Sequence, residues 1–181
     1  MEAPDEELML AYGRGDAGAF ETLYKRHRGR LYRFVLRALS NSAGHRSTAE
    51  ELFQEAWIRV IEARGRYAPQ ARFTTWLYTI AHNLIVDHWR KKGLAIVPLD
   101  DERAVAAPDN PARQAEARES VARLLQAIDA LPAAQREAFL LHEEAGLTVA
   151  EIAAVTGAGE EAAKSRLRYA MAKLKAAVDD D

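Results

Sequence analysis

The sequence predicts an all-α protein made of two small helical domains joined by a flexible linker. Three observations lead there. Apolar residues recur at steps of three and four along most of the chain. No convincing segment alternates with period two. The helical pattern lapses once, over GLAIVPLDDERAVAAPDN (93–110), which holds a glycine, two prolines and a run of acids.

Each element has its own signal. Asp16 is placed to cap a first long helix carrying Phe20, Leu23, Tyr24, Leu31, Phe34 and Val35 on one side. NSAGHR (41–46) interrupts it. Ser47 and Glu50 then fit a capping box, with Leu52, Phe53, Ala56, Trp57, Val60 and Ile61 as the apolar face behind it. The loop RGRYAPQA (64–71) precedes a helix with Phe73, Trp76, Leu77, Ile80, Ala81, Leu84 and Ile85 on one stripe. After the linker, Pro111 suits the first turn of a helix bearing Val121, Leu124, Leu125 and Ile128. Pro132 opens the next, with Phe139 and Leu140. Thr148 and Glu151 form a second capping box, ahead of Ile152, Ala153 and Val155. Gly157-Ala158-Gly159 turns the chain into a last helix with Leu167, Ala170, Met171 and Leu174 inward, and the acidic end, Asp179 to Asp181, is expected to fray.

Composition narrows the function classes. Of 181 residues, 49% are hydrophobic and 29% charged, enough for a modest core. The net charge of −2 means that any nucleic-acid binding must come from local clusters of cations. With no cysteine, disulfides, thiolate catalysis and cysteine zinc sites are excluded. MEAPDEELML lacks the form of a signal peptide and no run reaches a membrane span, so a cytoplasmic location and no stable membrane insertion are expected.

LTVAEIAAVTGAGEEAAKSRLRYAMAKLKA (147–176) has the build of a DNA-binding helix-turn-helix: a capped short helix rich in alanine, a glycine turn, then a longer helix with Lys164, Arg166, Arg168, Lys173 and Lys175. A basic helix alone more often coats a bundle; the preceding cap and turn favour the DNA-binding reading. Lys164, Ser165, Arg166 and Arg168 lie in the half of that helix that enters a major groove deepest.

Taken in order, STAEELFQEAWIRV (47–60), FTTWLYTIAHNLIVDHWRKK (73–92), LPAAQREAFLLHEEAGLTVAEIAAVTG (131–157) and KSRLRYAMAKLK (164–175) resemble a bacterial sigma factor of the short extracytoplasmic-function (group 4) branch of the sigma-70 family. The resemblance implies region 2 over residues 5–92, a linker over 93–111 and region 4 over 112–177. It implies that Glu51, Gln54 and Glu55 bind the coiled coil of the polymerase β′ subunit. Tyr67 and Asn83 would form a pocket for a flipped base of the promoter −10 element, with Arg90, Lys91 and Lys92 on the backbone beside it. Lys164, Ser165, Arg166 and Arg168 would contact the −35 element. Core RNA polymerase, through its β′ and β subunits, promoter DNA and an anti-sigma factor are the implied partners, and no catalysis or cofactor is implied. Aromatic rings suit this work because opened DNA exposes base faces on which they stack. Trp76 reads as core by its stripe, and Trp89 as either a stacking ring or a cover for the helix end. One departure stands out: relatives carry Gly-Thr-Val where this chain has Glu161-Ala162-Ala163. By analogy alone, the linker acids Asp100, Asp101 and Glu102 would lie in the polymerase RNA channel.

His82, Asp87 and His88 invite a metal reading, but six residues set the two imidazoles on different faces of a helix, and no metal site is expected. Asp87 suits a neighbouring cation better. The alternatives are a helix-turn-helix regulator acting without polymerase, a helical adaptor that binds only proteins, and an enzyme, for which no motif speaks.

Overall fold

A computed structural model describes residues 2–40, 44–93 and 116–179. The described residues form eight α-helices and no strand. The expectations about most of the linker, the start of a helix at Pro111, and Asp180 and Asp181 lie outside them.

The N-terminal half is a bundle of four helices: α1 (Asp5–Gly13), α2 (Ala17–Ala38), α3 (His45–Ala63) and α4 (Phe73–Lys91). Asp16 caps α2, its carboxylate accepting the Ala19 N–H at 3.2 Å. Leu23, Leu31, Phe34 and Val35 from α2 enter the core with Ala56, Trp57 and Val60 of α3 and Phe73, Leu77 and Ala81 of α4. Phe20 and Tyr24 are half-buried in an aromatic cluster with Tyr12, Phe53 and Trp57. The element without a sequence expectation is α1, which buries only Met9 and Tyr12.

It is nevertheless firmly attached. Asp5 receives hydrogen bonds from Arg26 at 2.8 Å and pairs with His27 at 2.7 Å. Gly13 passes so close to α3 that a Cβ there would lie 2.6 Å from the Arg64 carbonyl oxygen, so only glycine fits without displacement. Glu6 reaches across to accept the Phe73 N–H at 2.6 Å. It thereby caps α4, whose own N-cap residue, Arg72, offers no side-chain bond. Glu6→Ala should therefore cost about 1 kcal/mol, as lost caps do, and lower the melting temperature by about 2–4 °C. An unchanged thermal midpoint would show the cap to be dispensable.

The structure corrects the start of α3. The helix begins at His45, two residues before Ser47, with Gly44 as its cap in the left-handed conformation (φ 72°). Ser47 and Glu50 are exposed residues inside the helix rather than a capping box, because Gly44 turns the chain earlier and its carbonyl takes the Thr48 N–H at 3.2 Å. Three residues expected inward face out: Ile61, Val121 and Met171 are 38%, 57% and 44% exposed. Ile61 and Met171 sit at the margins of their stripes, whereas Val121 lies mid-stripe but in the first half of its helix.

The C-terminal half comprises α5 (Glu116–Ala130), α6 (Ala133–Ala145), α7 (Val149–Thr156) and α8 (Glu160–Asp179). Pro132 is the N-cap residue of α6. Thr148 and Glu151 complete the expected reciprocal capping box on α7, and Gly157 ends that helix at φ 69°. Ile152, Val155, Ala163, Ala170 and Leu174 are buried here, and the apolar core runs on from the N-terminal half into this one.

The two halves pack on each other, α2 against α6 and α4 against α7, an arrangement that the sequence left open. The seam is polar. Arg33 grips Glu144 with two nitrogens at 3.0–3.1 Å, and Arg37 faces Asp129 at 3.8 Å. His82 pairs with Glu137. Arg72 donates to Glu151 at 3.3 Å, and so does the Thr75 hydroxyl. In the opposite direction, buried Arg136 donates to the Ser40 hydroxyl at 2.7 Å and to its own half's Asp129 carbonyl at 3.1 Å.

Two carboxylates make the stability of this arrangement sensitive to acid. Burial pushes Asp5 up, but hydrogen bonds from His27 and Arg26 outweigh it and leave its pKa below the usual 3.8. Burial also pushes Glu151 up, yet the Thr148 backbone and hydroxyl, Arg72 and Thr75 bring it below 4.5. A depressed carboxylate contributes stability above its unfolded pKa and loses it as pH falls through the folded one. Thermal stability should therefore be level with respect to these groups near neutrality and drop as the pH goes below about 4. The variant D5N/E151Q should show a shallower drop over that window in a pH series of melting curves.

Candidate nucleic-acid interface

The loop from Arg64 to Arg72 folds back beside the start of α4, which Glu6 holds from the other side. Tyr67 in this loop sits edge-on to Trp76, with ring centres 5.0 Å apart, and to Phe73 at 6.3 Å. Beside them opens a cavity of about 450 Å³ lined by Arg66, Tyr67, Gln70, Thr75, Trp76 and Thr79, among others. That volume falls within the usual range of small-molecule sites, about 300–1,000 Å³. Its lining combines aromatic faces with an amide and hydroxyls, which suits a flat heterocycle with polar edges.

The Tyr67 hydroxyl is buried and has no hydrogen-bond partner in the protein. Burial, with help from Glu6 and Asp5, holds its pKa up at about 12, so the phenol keeps its proton. A buried donor without an acceptor costs about 1–3 kcal/mol. A ligand atom that accepts this proton would offset that cost.

Asn83 is exposed and does not line the cavity. It follows Trp76 and Thr79 at steps of seven and four residues, which places it on the same side of α4, one turn beyond the cavity. Arg90 continues that side seven residues on. Arg90, Lys91 and Lys92 are all exposed, and Asp87 pairs with Arg90 at 3.3 Å. The structure thus sets Tyr67 and Asn83 along one track rather than in one pocket. Trp89 is half-buried against the core, edge-on to His88 at 5.5 Å. Burial and the neighbouring Lys92 lower the pKa of His88, so it adds no charge to this end at neutral pH. Trp76 is half-buried and belongs both to the core margin and to the cavity wall. Trp76, which the sequence assigned to the core, and Thr75, Thr79 and Gln70, which it passed over, line the cavity. Trp76 was masked by its place on the apolar stripe; the other three carried no signal that separates them from ordinary helix and loop residues.

On α8 the predicted residues divide. Lys164 and Arg168, four residues apart, share an exposed face with Lys175. Ser165 borders that face and is half-buried. Arg166 is also half-buried and lies about 200° around the helix from both Lys164 and Arg168. Glu160 and Glu161 occupy the first turn, where the helix dipole favours carboxylates.

A third surface lies on α3. Glu51 and Gln54 are exposed, while Glu55 is half-buried and pairs with Arg59 at 3.2 Å. Ile58, 46% exposed, follows on the same side, with Ile61 at its edge. An aliphatic pair beside acids is suited to a protein partner that offers both apolar and basic groups. Among the described residues there is no cluster of three or more potential metal ligands, and no helix is long and apolar enough to cross a membrane.

Comparison with known proteins aligns with this geometry. Residues 23–94 match the family model for Sigma-70 region 2, and residues 122–174 match that for Sigma-70, region 4. The RNA polymerase sigma factor CarQ of Myxococcus xanthus is 36% identical over 92% of this chain and 93% of its own length. The ECF RNA polymerase sigma factor BldN of Streptomyces coelicolor is 32% identical over 97% of this chain, which spans 66% of BldN. Among solved structures, CnrH in complex with the cytosolic domain of CnrY superimposes with a TM-score of 0.67 at 25% identity, covering 98% of both chains.

Proposed function

The chain belongs to the sigma-70 family, and from that membership we propose how its surfaces divide the work of promoter recognition. It is an RNA polymerase sigma factor of the extracytoplasmic-function branch, directing promoter-specific initiation by binding core polymerase, reading −10 and −35 elements and melting DNA. What carries the reading is one chain that joins a region 2 match, with its aromatic cavity, to a region 4 match, with its capped helix-turn-helix.

Region 2 binds the polymerase β′ coiled coil through the α3 stripe of Glu51, Gln54, Glu55 and Ile58. The cavity beside Tyr67 and Trp76 takes one unpaired base of the −10 element. Asn83 meets the next part of the strand, and Arg90, Lys91 and Lys92 hold its phosphates. On region 4, Lys164, Ser165 and Arg168 face the −35 duplex, with Arg166 on the far side of α8, while the β subunit supports the domain. The factor itself catalyses no reaction; the polymerase does. It works where that polymerase is, in the cytoplasm. CnrH is solved with the cytosolic domain of CnrY, and RpoE of Bartonella quintana with the anti-sigma factor NepR. An anti-sigma partner for this chain is proposed on that model.

Run-off transcription tests the whole. Added to core polymerase, the chain should start RNA at specific sites in a promoter library. A regulator acting alone would instead bind duplex DNA and give no polymerase-dependent start. For region 4, Lys164→Ala should weaken −35 binding similarly across sequences and reduce the slope of log affinity against log salt by about 1. An unchanged slope would place Lys164 off the phosphates.

A further inference from the structure

Among the described residues the arginine–carboxylate pairs across the seam run in one direction, although Arg136 of the C-terminal half reaches the other way to the Ser40 hydroxyl. Arg33, Arg37 and Arg72 come from the N-terminal half; their partners Glu144, Asp129 and Glu151 come from the C-terminal half. A seam selected only for rigidity has no need of this polarity, since pairs of either sense attract equally. A one-sided arrangement instead leaves the N-terminal half with a basic face whenever the halves part.

Glu151 shows where that face leads. Its carboxylate is bonded to Arg72, the residue that opens α4, and to the hydroxyl of Thr75, which lines the cavity. Thr75 is only 7% exposed in this arrangement. A carboxylate held by a guanidinium and a hydroxyl at the edge of a cavity roomy enough for a base occupies the kind of position that a backbone phosphate takes when a base enters such a cavity. Glu151 does not depend on these bonds for its local role, because its capping bonds to Thr148 lie within its own half.

We propose that the seam is an intramolecular lock in which Glu151 stands in for a phosphate of the melted strand, so that Arg72 and Thr75 are DNA-contacting residues masked in the closed form. Parting the halves frees both groups at once, and the single strand and the C-terminal half compete for them. The pairs are partly exposed, so salt weakens the lock by screening. This rests on the sigma-factor reading of the cavity.

The absence of cysteine allows clean labelling. A donor–acceptor dye pair on E62C/A176C of the full chain reports the separation of the halves, and a fluorescent single-stranded DNA of ~12 nucleotides, within the usual site sizes for such strands, reports binding. Glu151→Gln keeps the capping box, which accepts glutamine. It should lower energy transfer and tighten single-strand binding about threefold, and E144Q/E151Q about tenfold. Arg72→Gln added to E144Q/E151Q should remove most of that gain while the halves stay apart. The lock is overturned if E144Q/E151Q leaves energy transfer unchanged. The phosphate role is overturned if the halves part but binding stays the same, or if Arg72→Gln leaves the gain intact. Run-off transcription by the unaltered chain is scored separately, so failure of the sigma reading would appear there and not in these two signals.

Discussion

Trp76→Ala should reduce open-complex formation by about fivefold to 150-fold, the loss expected when one base–ring stack of about 1–3 kcal/mol is removed. Binding to core polymerase should be unchanged, because none of Glu51, Gln54, Glu55 and Ile58 lines the cavity. The substitution also takes a half-buried indole from between Tyr67 and Phe73, so the fold loses about 2 kcal/mol. Tyr67 separates the two effects. Tyr67→Phe keeps the ring and removes only a buried hydroxyl without a partner, which should leave the melting temperature level or slightly raised. If that hydroxyl reads a base edge, Tyr67→Phe still slows promoter opening. Permanganate footprinting of the melted region measures it directly, and full opening by both variants would remove the cavity from the mechanism.

Arg136→Ala should destabilise the protein by about 3 kcal/mol, the scale for removing one partner from a buried ionic or hydrogen-bonded group, and lower the melting temperature by about 6–12 °C. Arg136 is 5% exposed, and burial lowers its pKa. Its guanidinium joins Ser40 at the end of α2 to the Asp129 carbonyl at the end of α5, so its loss strands a hydroxyl and a carbonyl and leaves a void. Arg136→Met fills most of that void and ends the cost of holding a buried charge. It should therefore cost less than half as much in a calorimetric scan. Equal losses for both variants would mean that the hydrogen bonds, and not the packing, set the magnitude.

What the sequence disclosed follows from how local each signal is. Asp16 and Thr148 were legible because a cap is decided within three residues of itself. Ser47 misled because Gly44, three residues before it, supplied an equally local cap, and pattern alone does not rank the two. Ile61 and Met171 show that periodicity locates the centre of an apolar stripe and not its margins, and Val121, exposed in mid-stripe, shows that it does not say how far along the helix the cover extends. On α4 the difficulty was of another kind. Its stripe was right for Phe73, Leu77, Ala81, Leu84 and Ile85, yet Thr75 and His82 are buried as well, because α7 and α6 from the distant half close over them. Nothing near residue 82 in the chain announces a partner at 137. The candidate site was half legible for the same reason: Tyr67 and the terminal cations followed from the family resemblance, whereas the cavity is made by a loop meeting a helix and appears only in three dimensions.

The attachment of α1 has a practical consequence. Glu6 holds the first amide of α4, and Gly13 is pressed against the segment that carries Tyr67. Anything that pulls on the opening residues therefore pulls on both walls of the cavity beside Tyr67 at once. On the proposal that this cavity takes a base, affinity tags or reporter fusions at the amino end should blunt strand capture, whereas the same additions after α8 should leave it unchanged.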